Sequence, residues 1–196
     1  MDNSSQPYRH IALVGMMGCG KSTVGRFLAR ITHWPYHDID LIIERETGQS
    51  ISEIFDTIGE SFFRRHELEV IERLPGSEPS IVSTGGGLFI QERPRQILLQ
   101  HAYTFYLQAS PQILWERVRF SENRPLLHNP EPQKILTDLL EKRDPIYRLA
   151  HFTIPIENKK IEQIAQEILS HLPFKLPYDL RQAHPKPPPT DHPSPP

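Results

Sequence analysis

From about residue 10 to residue 172 the chain alternates short apolar runs with stretches of helical period. Ile11-Ala12-Leu13-Val14 is a continuous apolar run of strand length that stops at Gly15. Beyond a glycine-rich turn, Val24, Phe27, Leu28 and Ile31 recur at i, i+3, i+4 and i+7, which predicts a helix from Lys21 to about His33. Ile81-Val82-Ser83 and Tyr103 to Leu107 read as two further central strands, the first closed by Gly85-Gly86-Gly87. Ser110-Pro111 has the chemistry of a cap and first helical residue, and starts a helix through Trp115 and Val118. Phe152 to Ile156 is the last predicted strand, and Ile161, Ile164, Ala165, Ile168 and Leu172 form the apolar stripe of the last helix. Alternation of this kind predicts an α/β domain in which helices cover a parallel sheet.

Composition bounds that picture. With 196 residues and 22.7 kDa, the chain suits one compact domain. Nine of its 20 prolines fall in residues 173–196, a stretch with few aliphatics that includes Pro185-Lys186-Pro187-Pro188-Pro189. Too little apolar surface is available there to offset the entropy of ordering, so we expect a domain over residues 1–172 and a disordered proline-rich tail over 173–196. A net charge of -2 and a pI near 6.6 argue against the basic face that nucleic acid requires. No run approaches the roughly 20 apolar residues of a membrane span. Residues 1–9 are too few and too polar for a secretory signal or transit peptide. Cys19 is the sole cysteine, which fits a reducing compartment, and a cytoplasmic protein is expected. The histidines show no zinc-ligand spacing.

Gly15-Met16-Met17-Gly18-Cys19-Gly20-Lys21-Ser22 carries every residue of the phosphate-binding P-loop pattern, and Thr23 follows it. Glycines let successive backbone N–H groups converge on one point, and the following helix adds the positive end of its dipole. ATP is the expected co-substrate. Lys21 would bridge the β- and γ-phosphoryl oxygens, and Ser22 would take one position on the accompanying Mg2+. Cys19 occupies a variable position of the loop, where a small side chain and a backbone N–H are what the phosphates need.

The loop alone leaves the acceptor open among nucleotides, sugars, water and acids. His37-Asp38-Ile39-Asp40 follows a second predicted strand, near the carboxyl edge of the sheet where ligands bind. On an extended segment the two carboxylates would point the same way, Asp38 toward the magnesium shell and Asp40 toward an acceptor hydroxyl. Asp40 to Glu44 can also be read as the start of a helix.

Asp38-Ile39-Asp40, Gly59-Glu60 with Phe63-Arg64, Ser83 to Gly87, Arg124-Pro125-Leu126-Leu127 and Lys142-Arg143-Asp144-Pro145-Ile146-Tyr147 follow the P-loop in that order. In order and spacing the chain resembles the shikimate kinases over about residues 10 to 172. The resemblance implies a three-layer α/β/α P-loop kinase fold of the nucleoside-monophosphate-kinase kind, with a central five-stranded parallel sheet and a mobile lid. It implies ATP-dependent phosphorylation of the 3-hydroxyl of shikimate in aromatic amino acid biosynthesis, by a monomer.

Residue by residue, the resemblance assigns an acceptor-binding segment at about 38–66 and a lid at about 117–133. Arg64 and Arg143 would hold the acceptor carboxylate, for which a planar guanidinium is suited. Asp40 would bind ring hydroxyls and take the proton of the attacking one, while Gly86 and Gly87 admit the substrate close to the backbone. Lys21, Asp40 and Arg124 are the expected catalytic residues, Arg124 closing onto the transferred phosphate. Nucleotide contacts are expected from Gly18, Cys19, Gly20, Lys21, Ser22, Thr23, Arg124 and Lys160, the last at the adenine, and metal contacts from Ser22 and Asp38. Ile161 stands near where relatives often carry proline. Rival readings are a kinase for gluconate or a nucleoside monophosphate, and a catalytically silent P-loop regulator.

Overall fold

A computed structural model describes residues 10–119, 130–174 and 176. Its sheet is built from β1 (His10–Val14), β2 (Tyr36–Asp38), β3 (Ile81–Ser83), β4 (Ala102–Gln108) and β5 (Phe152–Pro155). The strand order is β2-β3-β1-β4-β5 and every pairing is parallel, with Leu13 beside Ser83 on one side and Phe105 on the other. Helices cover both sides, which is the three-layer arrangement expected. That cover explains why all five residues of β1 are buried and read as a continuous run rather than an alternation.

The helix α1 (Lys21–Thr32) packs on β3 and on α8 (Ile161–Ser170). Val24, Phe27, Leu28 and Ile31, the predicted stripe, are at most 3% exposed. Burial of such side chains contributes roughly 1.5–3 kcal/mol each, which outweighs the ~1 kcal/mol that Gly25 costs inside the same helix. His33 ends α1 in the left-handed region at φ 59°. Ser110 and Pro111 open α6 (Pro111–Val118) as predicted, although the Ser110 side chain makes no capping bond. Between β2 and β3 lie α2 (Ile39–Thr47), α3 (Ile51–Thr57) and α4 (Glu60–Glu72), with α3 entered through a reciprocal Ser50–Glu53 capping box. The remaining helices are α5 (Glu92–His101) and α7 (Pro132–Tyr147).

One expectation needs correction. The second strand does not precede His37 but contains it, and the backbone is already helical at Asp40. Ile39 and Ile43, four apart and at most 2% exposed, bury the start of α2, so helical spacing overrides an extended run through Asp40. The described ends of the expected lid lie in α6 and α7 and their flanks. Arg124 and residues 120–129 lie outside the described residues, as does most of the tail. Among the described residues no helix is long and apolar enough to cross a membrane.

Candidate active site

The carboxyl ends of β1, β2 and β3 open on a cleft of about 530 Å³. Gly18 to Val24 line one wall, Asp38, Asp40 and Thr84 to Gly86 line another, and Arg117, Lys159, Ile161 and Ile164 form the outer end. Four successive predicted nucleotide residues, Gly20, Lys21, Ser22 and Thr23, therefore face the same space. Gly20 precedes α1 at φ 94°, so the helix begins with its unpaired N–H groups at the cleft.

Lys21 is buried, and its ammonium donates to the carbonyls of Gly15 (2.9 Å) and Met16 (3.0 Å). The loop thus holds its own lysine beside the place prepared for phosphate. Cys19 lines the cleft as well, and its N–H donates to Met16 O at 3.3 Å, closing a turn inside the loop. Its thiol is buried, with Sγ 3.7 Å from Lys21 Nζ. Lys160 caps α8, between Lys159 and Ile161, which line the cleft.

Ser22 Oγ donates to Asp38 Oδ2 at 2.8 Å, and Tyr36 OH donates to the same oxygen at 2.9 Å. A hydroxyl and a carboxylate at the mouth of a phosphate loop are hard oxygen donors suited to Mg2+, which takes one or two protein oxygens and fills its octahedron with water and phosphate.

Asp40 Oδ1, also in the cleft lining, is shielded from solvent and has no hydrogen-bond partner among the described residues. Burial, then the charge of Asp38, pushes its carboxyl up to about 6, with Lys21 and Arg64 pulling the other way. Glu67, fully buried on α4, presents a second shielded oxygen, Oε1, that has no partner among the described residues. Its other oxygen accepts from Arg64 Nη1 (2.7 Å) and Gln91 Nε2 (2.8 Å). Burial raises Glu67 as well, and Asp40 adds to it. Gly85 separates the two: a Cβ there would lie 2.7 Å from Asp40 Oδ1 and 3.0 Å from Glu67 Oε1. Only a residue without a side chain lets both acids approach this turn.

Arg64 and Arg143 reach the same turn from α4 and α7, outside the lining of the nucleotide cleft. Arg64 is held by Glu60 (2.9 Å) and Glu67, and its guanidinium would strike any Cβ on Gly87 at 2.6 Å. Arg143 Nη1 donates to Gly86 O at 3.3 Å. Tyr147, one turn later and fully buried, donates to that same carbonyl.

Arg64, Arg143, Gly86 and Gly87 are thus gathered at one turn, which Gly85 joins to Asp40 and which Gly86 sets against the P-loop, a Cβ there lying 3.5 Å from Met17 N. Glu67, Tyr147, Tyr36 and Arg117 have positions here that sequence reasoning did not assign. Arg117 donates to Gly18 O at 3.3 Å and faces the outer cleft with Ile161. The spacing Arg64-x-x-Glu67 on a helix was the one available signal, since i,i+3 neighbours meet.

Tyr147→Phe is expected to remove one donor from the buried Gly86 carbonyl and cost about 1–2 kcal/mol of stability. The shikimate KM should rise more than that for ATP, because the turn holds Arg64 and Arg143, although Gly86 also lines the nucleotide cleft. Thermal melting and two-substrate kinetics check this.

Three comparisons with known proteins bear on the site. The sequence model of the family Shikimate kinase matches residues 17–173. The chain is 41% identical over 158 residues to a shikimate kinase of Cereibacter sphaeroides, covering 81% of this chain and 79% of that one. It is 40% identical over 174 residues to that of Zymomonas mobilis, covering 88% and 99%. Among solved structures, a shikimate kinase from Acinetobacter baumannii in complex with shikimate superposes with a TM-score of 0.79 at 40% identity, over 83% of this chain and 92% of that one.

Proposed function

Because this chain belongs to the shikimate kinase family, we infer that it moves the γ-phosphate of ATP to the 3-hydroxyl of shikimate, giving shikimate 3-phosphate and ADP in aromatic amino acid biosynthesis. The observation that carries this reading is the shielded Asp40 carboxyl lining the P-loop cleft beside Gly85, with two guanidinium groups against the adjoining Gly86 and Gly87.

The distances support a division of labour. The triphosphate lies along Gly18, Gly20 and the first turn of α1, where backbone N–H groups and the helix dipole oppose its charge. Lys21 exchanges its two carbonyl partners for β- and γ-phosphoryl oxygens. The Arg117 guanidinium, a planar cation able to stack on the base, and the apolar Ile161 side chain line the cleft where the base would lie. Ser22 and Asp38 would hold Mg2+, which would supply positive charge to offset that of the phosphates.

On the acceptor side, Arg64 and Arg143 bind the carboxylate of shikimate, and the backbone of Gly86 and Gly87 approaches its ring. Asp40 accepts a hydrogen bond from the 3-hydroxyl. As that oxygen bonds to the γ-phosphorus, the bond from phosphorus to the β–γ bridging oxygen breaks, the hydroxyl proton passes to Asp40, and ADP leaves. No covalent enzyme intermediate is required, and positioning with electrostatic compensation carries the rate. We also assign Arg124 to the transferred phosphate, where a closing arginine would shield it from water.

ADP release should be measured with shikimate, gluconate and a panel of nucleoside monophosphates in turn, with ATP and Mg2+ present. Turnover with shikimate alone is the expected result. Absence of ATP consumption with shikimate, or faster turnover with either rival class, would overturn the assignment.

A further inference from the structure

We propose that Tyr36 is a positioning residue for the metal side of the site: its hydroxyl holds the Asp38 carboxylate, which in turn orients Ser22. The inference rests on the reading of Ser22 and Asp38 as the magnesium groups.

Tyr36 and Asp38 stand two apart on β2, so their side chains leave the same face of the strand. Tyr36 OH and Ser22 Oγ both donate to Asp38 Oδ2, at 2.9 and 2.8 Å. A hydroxyl whose proton points at a carboxylate turns its lone pairs away from it, which is the orientation Ser22 needs to offer an oxygen to a cation. The phenol is a fixed donor because its ring is clamped. A Cβ on Gly25 of α1 would fall 2.6 Å from Tyr36 Cε2 and 2.7 Å from Ser83 Oγ, so helix backbone and ring are in direct contact. The Arg26 guanidinium lies 5.9 Å from the ring centroid. With helix backbone against the ring, Tyr36 cannot swing away from Asp38 without displacing α1.

A ring without the hydroxyl would fill the same space and keep the same packing, but Asp38 would lose one of the two donors that set its rotamer. Partners that orient a metal-binding side chain are typically worth about 10–100-fold in metal affinity. The contribution should therefore appear in the coupling between metal and nucleotide, and not in acceptor binding.

The test measures the affinity of the imido analogue of ATP by calorimetry, once with excess Mg2+ and once with a chelator. The ratio of the two affinities is the metal's contribution. For Tyr36→Phe this ratio should fall by about 10-fold while the metal-free affinity stays within about twofold of the parent. The Mg2+ concentration for half-maximal turnover should rise, with the shikimate KM and melting temperature unchanged.

Asp38→Asn is measured alongside. If it lowers the ratio and Tyr36→Phe does not, the proposal fails and the metal reading stands. If neither lowers it, both fail. A Tyr36→Phe protein that loses metal-free nucleotide affinity, shikimate affinity and thermal stability together would show that the ring merely packs, and would also overturn the proposal.

Discussion

Asp40→Asn is expected to lower kcat by about 10²–10⁴-fold, the range over which a positioned general base contributes. The amide keeps the size and much of the polarity of the carboxylate but cannot accept the proton of the attacking hydroxyl. Stability should move the other way. Because the folded protein raises the Asp40 carboxyl from 3.8 to about 6, the fold disfavours its charge, and near neutral pH the Asp40→Asn protein should melt no lower than the parent. Loss of turnover without loss of stability separates a chemical role from a structural one. The same shift gives a pH dependence. Below about 6 Asp40 takes up a proton in the free enzyme and ceases to be a base, so kcat/KM should fall as pH drops through that value. In the Asp40→Asn protein that limb should vanish. Unchanged turnover, or an acid limb that survives the substitution, would remove Asp40 from the proton transfer.

Arg64→Ala and Arg143→Ala should each raise the KM for shikimate on the order of 100-fold, since truncating one side of a buried charge pair costs about 2–5 kcal/mol. The KM for ATP should change little, because both arginines approach the glycine turn from outside the nucleotide cleft. The two should differ in stability. Arg64 bonds Glu60 and the fully buried Glu67, so its removal leaves Glu67 with Gln91 as its remaining partner, and the melting temperature should drop. Lower pH should soften that loss, because protonation discharges Glu67, whose carboxyl burial already holds above the usual range. Arg143 touches a carbonyl at 3.3 Å and should cost far less. Variants that weakened ATP and spared shikimate would contradict the assignment.

Tyr147→Phe and Tyr36→Phe probe the supports of the two halves of the site. The first removes a donor from the turn that holds Arg64 and Arg143 and the second a donor from the metal side, so the first should weigh more on the KM for shikimate and the second on the use of Mg2+.

The amino-acid sequence by itself determined the parts of this protein that depend on neighbours in the chain. Buried-strand runs, the stripe Val24-Phe27-Leu28-Ile31, the Ser110-Pro111 start and the P-loop are local signals, because hydrogen bonding along a helix and the reach of a loop depend on residues a few positions apart. Their structures agree with the reading to within a residue or two. Where local signals conflicted, at Asp38 to Asp40, burial of Ile39 and Ile43 decided for the helix.

What only the tertiary structure decided are the properties that arise when distant segments exclude water from one another. Asp40 and Glu67 come from different helices and meet at Gly85 of a third segment. Their carboxyls are raised first by that shared dry volume, which no stretch of sequence around either residue defines. Tyr36 stands beside Asp38 on one strand, but its hydroxyl acquires a function only because α1 presses Gly25 against the ring and brings Ser22 to the same oxygen. Residue types and spacings announce a chemistry. Desolvation and the fixing of rotamers, which turn it into a working site, are sums over contacts between elements and exist only once the chain has folded.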